Sequence, residues 1–139
     1  MTKNYRFVEH TADIAIEVTG DDLKSLFLNC GYALFDVLYQ KKSVTGAKKY
    51  RIKAVGDNNE ELLINFLREL FFKFAIYKVV LSEITEITLA DNEISATVIG
   101  EDYNAKKHKT NLEIKAVTYH NVKIEEENGK LKVVIVLDT

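Results

Sequence analysis

The chain predicts an α+β fold, a single domain in which two main helices pack on mainly antiparallel sheet. Three observations carry that expectation. Two stretches repeat apolar residues at three- and four-residue steps, the period of a helix face. Several others alternate apolar and polar residues, the period of a half-buried strand. The second half is punctuated by Asp91-Asn92 and Asn128-Gly129, dipeptides that join neighbouring strands as hairpins and leave no helix between them. With 139 residues, 47% of them apolar and 29% charged, the chain has the size of one domain with a sizeable core. No linker, low-complexity tract or repeat divides it, so one domain over residues 1–139 is expected.

The elements follow in order. In Tyr5–Thr19, Val8, Ala12, Ile14, Ile16 and Val18 form one face at period two, which predicts a strand. Gly20-Asp21 ends it and offers an N-cap. Leu23, Leu26, Phe27, Cys30, Leu34, Val37 and Leu38 then recur at helical spacing. Lys48–Val55 reads as a second strand. Asp57 and Asn58 each stand three residues before a glutamate, Glu60 or Glu61, giving two capping registers for the next helix. That helix is expected to bury Leu62, Leu63, Phe66, Leu67, Leu70, Phe71 and Phe74, leaving Glu61, Asn65, Arg68 and Lys73 to solvent. Ile84–Ala90 and Ile94–Ile99 flank Asp91-Asn92 as a hairpin, and Leu112–Ile124 alternates as a further strand. Asn128-Gly129 turns the chain into LKVVIVL, Leu131–Leu137, apolar almost throughout and therefore expected to be central with both faces covered.

Several function classes are disfavoured. Nineteen basic against 21 acidic residues, a net charge of −2, gives no basic surface of the kind that coats nucleic acid, so strong direct nucleic-acid binding is not expected. No apolar run approaches the ~20 residues that span a bilayer. MTKNYRFVEH has no apolar stretch of a secretion signal, and the single Cys30 excludes an intramolecular disulfide framework and a multi-cysteine zinc site; both fit a cytoplasmic protein. Cys30 falls on the apolar face of its helix, where a thiol is inert packing. Phosphate-cradling glycine loops, GxSxG elbows and HExxH pairs are missing.

The candidate chemistry lies at the two ends. The first half of EHTADIAIEV, Glu9–Val18, gathers two acids and a histidine, Glu9, His10 and Asp13, into five positions. If the chain is extended from Val8 onward, His10 shares a face with Ile14 and Ile16 while Glu9 and Asp13 point the other way, which favours a packing histidine. His120 falls in register with Leu112, Ile114, Ala116 and Val122, and a structural role is favoured there too. At the other end Asp138 follows an apolar strand, and Thr139, where it ends the chain, adds an α-carboxylate. Carboxylates this close repel unless a cation or a hydrogen-bond donor compensates them, and oxygen-only clusters suit hard cations. Asp13 can supply a further oxygen; a solvated tail is the alternative. YNAKKHKTN, Tyr103–Asn111, is the one basic cluster and is expected to be a solvated loop.

Three segments in combination resemble the archease family: EHTADIAIEV, HKTNLEIKAVTYHNVKI (His108–Ile124) and the closing VVIVLDT, with ELLINFLRELFFKF similar to the family's helix between them. The likeness runs in order from Phe7 to Asp138. It implies a small α+β protein that is not itself an enzyme but serves as cofactor to the RtcB-type tRNA-splicing ligase, which joins RNA ends through a guanylylated histidine. Archeases promote that guanylylation and multiple turnover. The resemblance also implies a divalent metal site at Asp13, Asp138 and Thr139, with calcium the expected ion and magnesium or manganese the alternatives. Thr139 departs from the apolar residue that commonly follows the terminal aspartate. His108, Glu113, Lys115, Tyr119 and His120 match the second block; parity sets Glu113, Lys115 and Tyr119 on the face opposite His120, as a polar, partner-facing set. The competing readings are a metal-dependent phosphoester hydrolase or transferase, and a chaperone-like modulator of other proteins.

Overall fold

A computed structural model describes residues 4–8 and 13–139. The described chain forms β1 (Tyr5–Val8), β2 (Asp13–Gly20), α1 (Leu23–Leu38), β3 (Lys48–Val55), α2 (Asn59–Ala75), β4 (Val79–Ala90), β5 (Glu93–Asp102), β6 (Ala116–Thr118), β7 (Glu125–Glu127) and β8 (Lys130–Asp138). A five-stranded sheet runs β1-β2-β8-β6, with β7 also pairing β8, and a three-stranded sheet runs β3-β5-β4. Every pairing is antiparallel. The expected α+β architecture is therefore present, with the sheet divided in two.

The helices lie between the sheets. α1 packs on β2 and β8 of one sheet and β4 of the other; α2 packs on β3, β4 and β5 and reaches β6. Covered on two sides, α1 buries nine of its residues, including Leu26, Phe27, Cys30, Leu34 and Phe35, which is more than a single apolar stripe. Phe27 and Phe66 stack across the helix pair with ring centroids 6.0 Å apart. Each contributes about 1.5–3 kcal/mol of burial free energy. No helix among the described residues is long and apolar enough to cross a membrane.

Local chemistry sets the boundaries. The N-cap of α1 is Asp22, not the Gly20-Asp21 pair: its carboxylate accepts the Ser25 N–H at 2.7 Å. Of the two registers open to α2, Asn58 is used, accepting the Glu61 N–H at 2.9 Å. The last carbonyls of α1 are taken by the segment after the basic loop, since Asn111 and Leu112 donate their N–H groups to Leu38 and Val37. The β4–β5 turn holds Asn92 at φ 60°, and Asn128 and Gly129 at 55° and 78° turn β7 into β8.

Five expectations are corrected. Tyr5–Thr19 is two antiparallel strands, paired from Tyr5↔Val18 to Val8↔Ala15, so parity does not carry through from Val8 to Ile14. Leu112–Ile124 contains only the three-residue β6, because Ile114 and Val117, three apart, are the positions that turn inward. β8 is central, between β2 and β6, but its two faces are covered unequally: Val133, Ile135 and Leu137 are buried, while on the other face Val136 is half-buried and Val134 is 36% exposed. Phe74 is half-buried, and Arg68, expected in solvent, donates through Nε to the Val117 carbonyl at 3.1 Å.

Candidate functional site

The pairing of β2 with β8 decides where the terminal acids stand. Ile14↔Leu137, Ile16↔Ile135 and Val18↔Val133 point into the core, so the alternate pairs, Asp13↔Asp138, Ala15↔Val136, Glu17↔Val134 and Thr19↔Lys132, share the outer face. Asp13 and Asp138 are thus direct cross-strand neighbours, both half-buried. Side chains so opposed have Cβ atoms about 4.5–5.5 Å apart. β6 closes the other flank of Asp138, with Ala116 opposite it and the Lys115 N–H donating to its carbonyl at 2.7 Å.

Two carboxylates at that separation repel, and their donor atoms are all oxygen, so the pair fits a hard divalent cation in donor type and charge. The set is small: among the described residues no group of three or more His, Cys, Asp or Glu side chains is placed to hold a metal. Thr139 follows Asp138 directly and is exposed. Glu9 and His10 lie outside the described residues.

The second block separates into buried and exposed members. His108, expected in a solvated loop, is only 3% exposed. Its Nδ1 accepts the Asn104 N–H at 2.9 Å, which leaves the ring proton on Nε2, 3.1 Å from Glu101 Oε2. Lys107 Nζ reaches the two oxygens of the same carboxylate at 2.7 and 2.6 Å, and the backbone of Gly46 donates to it at 2.8 Å. The Lys107 hydrogen bond, helped by those from His108 and the Gly46 and Thr45 backbone, holds the Glu101 carboxyl down at about 2. This cluster clasps the loop to β5 and to the chain before β3. Lys106 and Lys109 stay exposed. Nothing in the sequence pairs Glu101 with His108 and Thr45; only the fold brings them together.

Glu113, Lys115 and Tyr119 are exposed, as expected of a partner-facing set. His120 is exposed as well, with Asn121 Nδ2 3.0 Å from its Nε2, so the packing role read from its parity is wrong. Ordinary strand parity does not apply there, because β6 has already ended at Thr118. The Tyr119 hydroxyl donates to Asn58, the cap of α2, at 3.4 Å, and Ile124 N–H to Glu60 at 3.1 Å, which ties this surface to the helix start. Cys30 is fully buried, and burial pushes its thiol pKa up, as an inert packing thiol requires.

Comparison with known proteins covers almost the whole chain. The archease protein family matches residues 5–139. A Methanosarcina mazei protein archease is 33% identical over 140 residues, covering 98% of this chain and 96% of its own length. A Drosophila melanogaster archease-like protein is 34% identical over 139 residues, covering 96% and 89%. The solution structure of Methanobacterium thermoautotrophicum protein 1598 superposes with a TM-score of 0.82 at 28% identity, covering 99% of this chain and all of that one.

Proposed function

The chain belongs to the archease family, and on that premise we propose that it is a protein cofactor, not itself an enzyme, that activates an RtcB-type tRNA-splicing ligase in the cytoplasm. It promotes guanylylation of the ligase histidine and repeated turnover. The observation that carries the reading is the direct opposition of Asp13 and Asp138 on one sheet face. Asp13, Asp138 and the adjacent Thr139 would hold a divalent cation, calcium on the family resemblance with magnesium or manganese as alternatives that the oxygen donors fit equally, and a bound cation would supply charge neutralisation beside a phosphate. The chain's own residues do the positioning. β2 and β6 fix Asp138 from both sides, and exposed Glu113, Lys115, Tyr119 and His120 present a polar docking surface nearby.

The test is ligase guanylylation with this protein at sub-stoichiometric ratio, with and without chelator, for the wild type, Asp13→Ala and Asp138→Ala. The variants should fold and lose stimulation; full stimulation by both rejects the assigned role. Two control arms separate the competing readings. Metal-dependent phosphoester turnover by the chain alone would mark a hydrolase or transferase, and stimulation of unrelated client proteins a chaperone-like modulator.

A further inference from the structure

The three-stranded sheet ends on β4, and half of that edge is already closed by α1. The Leu81 N–H donates to the Tyr39 hydroxyl at 2.8 Å and the Ile84 N–H to the Tyr32 hydroxyl at 3.1 Å, capping the strand where its register shifts. Gly31 allows the helix this close, since a Cβ there would stand 2.6 Å from the Ile84 side chain. The second half of the strand differs. Ala90↔Glu93 closes the two-residue turn, so alternation turns the backbone groups of Thr88 and Glu86 toward β5 and those of Leu89 and Ile87 toward the open edge. Thr85, Glu86, Thr88 and Ala90 are exposed. A groove of about 280 Å³ separates this stretch from α1, lined by Lys24 and Leu28 on the helix and Ile84 and Ile87 on the strand.

An edge strand beside a helix, with a groove between, is the geometry in which an extended peptide adds as a further strand. Its backbone continues the ladder while alternate side chains enter the groove. Charge selects the other side chains. The outer face at this edge carries Glu83 and Glu86, opposite Ile99 and Thr97 of β5, while the basic residues of the same face, Lys49, Arg51 and Lys53, lie beyond β5 on β3. That is two strand spacings away, about 9.6 Å, and Arg51 is already engaged on β5, its Nη2 donating to Ser95 Oγ at 3.1 Å. We propose that Glu86–Ala90 of β4 is a strand-addition site for an extended segment of a partner protein that alternates apolar and basic residues. Its apolar side chains would fill the groove against Leu28 and Ile87, and its basic ones would flank Glu83 and Glu86. The site lies on the sheet opposite the terminal acids and is independent of the ligase reading.

The probe is the octapeptide KKYRIKAV, which has this alternation, titrated into the ¹⁵N-labelled full chain beside its acidic counterpart EEYEIEAV. The proposal expects amide shifts confined to Thr85–Ala90 and Lys24–Leu28, slowed exchange of the Ile87 and Leu89 amides, and about tenfold preference for the basic peptide. Glu86→Lys, at an exposed position, should leave the spectrum folded and reverse the preference. Leu89→Pro should abolish binding by removing an edge N–H that β5 does not use. Shifts elsewhere, equal binding of both peptides, or no binding at millimolar peptide overturns it. So does sedimentation showing that β4 pairs with a second copy of the chain.

Discussion

Asp138→Asn should make the protein more stable in chelator and less responsive to calcium, and both effects can be sized. At about 5 Å two unit charges repel by ~0.8 kcal/mol in water and ~3 kcal/mol at an effective dielectric constant of 20. Directly opposed like charges on a sheet cost about 0.2–1 kcal/mol, and half-buried carboxylates that can rotate apart belong near the upper end of that range. Neutralising Asp138 should therefore gain about 0.5–1 kcal/mol without metal, raising Tm by about 3 °C for a domain of this size. With calcium at about 100 times its Kd, the wild type gains about 2.7 kcal/mol by mass action, and the variant, short of one anionic ligand, gains much less. Wild type and variant should exchange rank between EDTA and calcium in thermal or urea unfolding. A variant that is less stable by the same amount in both buffers would refute the reasoning, since Asp138 would then be an ordinary structural residue.

Other perturbations test the rest of the frame. Tyr39→Phe leaves the buried Leu81 N–H without its acceptor and should cost about 1–3 kcal/mol in urea unfolding, with the far-ultraviolet spectrum unchanged. Glu101 is held at about 2, below its ordinary 4.5, so its stabilisation is complete above pH 4.5 and is lost as pH falls toward 2. Glu101→Gln should therefore flatten stability across that acid window, read from urea midpoints at successive pH values. Gly100→Ala places a Cβ 2.1 Å from the Val80 carbonyl oxygen and should destabilise by about 3 kcal/mol, as overpacking of the β4–β5 pair does.

The elements that could be read from sequence are those whose burial depends on one periodicity. α1 and α2 each keep a long apolar repeat, β3 and β5 alternate cleanly against one covered face, and β4 pairs with β5 despite two register shifts. The misreadings come where alternation persists while the geometry changes. No glycine or proline stands between Val8 and Asp13, so nothing in composition separates β1 from β2. From Leu112 to Ile124 burial is set by the end of α1, by Arg68 of α2 and by a three-residue strand, a mixture with no period. Val134 and Val136 made β8 look doubly covered, yet they lie outward beside Glu17 and Ala15. His108 was hidden for another reason: its partners belong to separate segments, and loop composition says nothing about a clasp closed by one glutamate.

The acid pair was legible because hydrophobic register leaves those residues little choice. A one-residue slip of β2 against β8 would turn Asp13 into the core and Ile14, Ile16 and Val18 into solvent. Ile16, Val18, Val133, Ile135 and Leu137 are each at most 1% exposed, and burying each side chain contributes about 1.5–3 kcal/mol. Against that, the repulsion of two opposed carboxylates is small, so the core holds Asp13 and Asp138 together although each disfavours the other. A cation bound between the two acids would offset their repulsion, and that is the proposal the chelator and calcium measurements test. Because the apolar register and not the acids sets the pairing, replacing either acid should leave the strands in place, so that any lost stimulation would report on the carboxylates themselves.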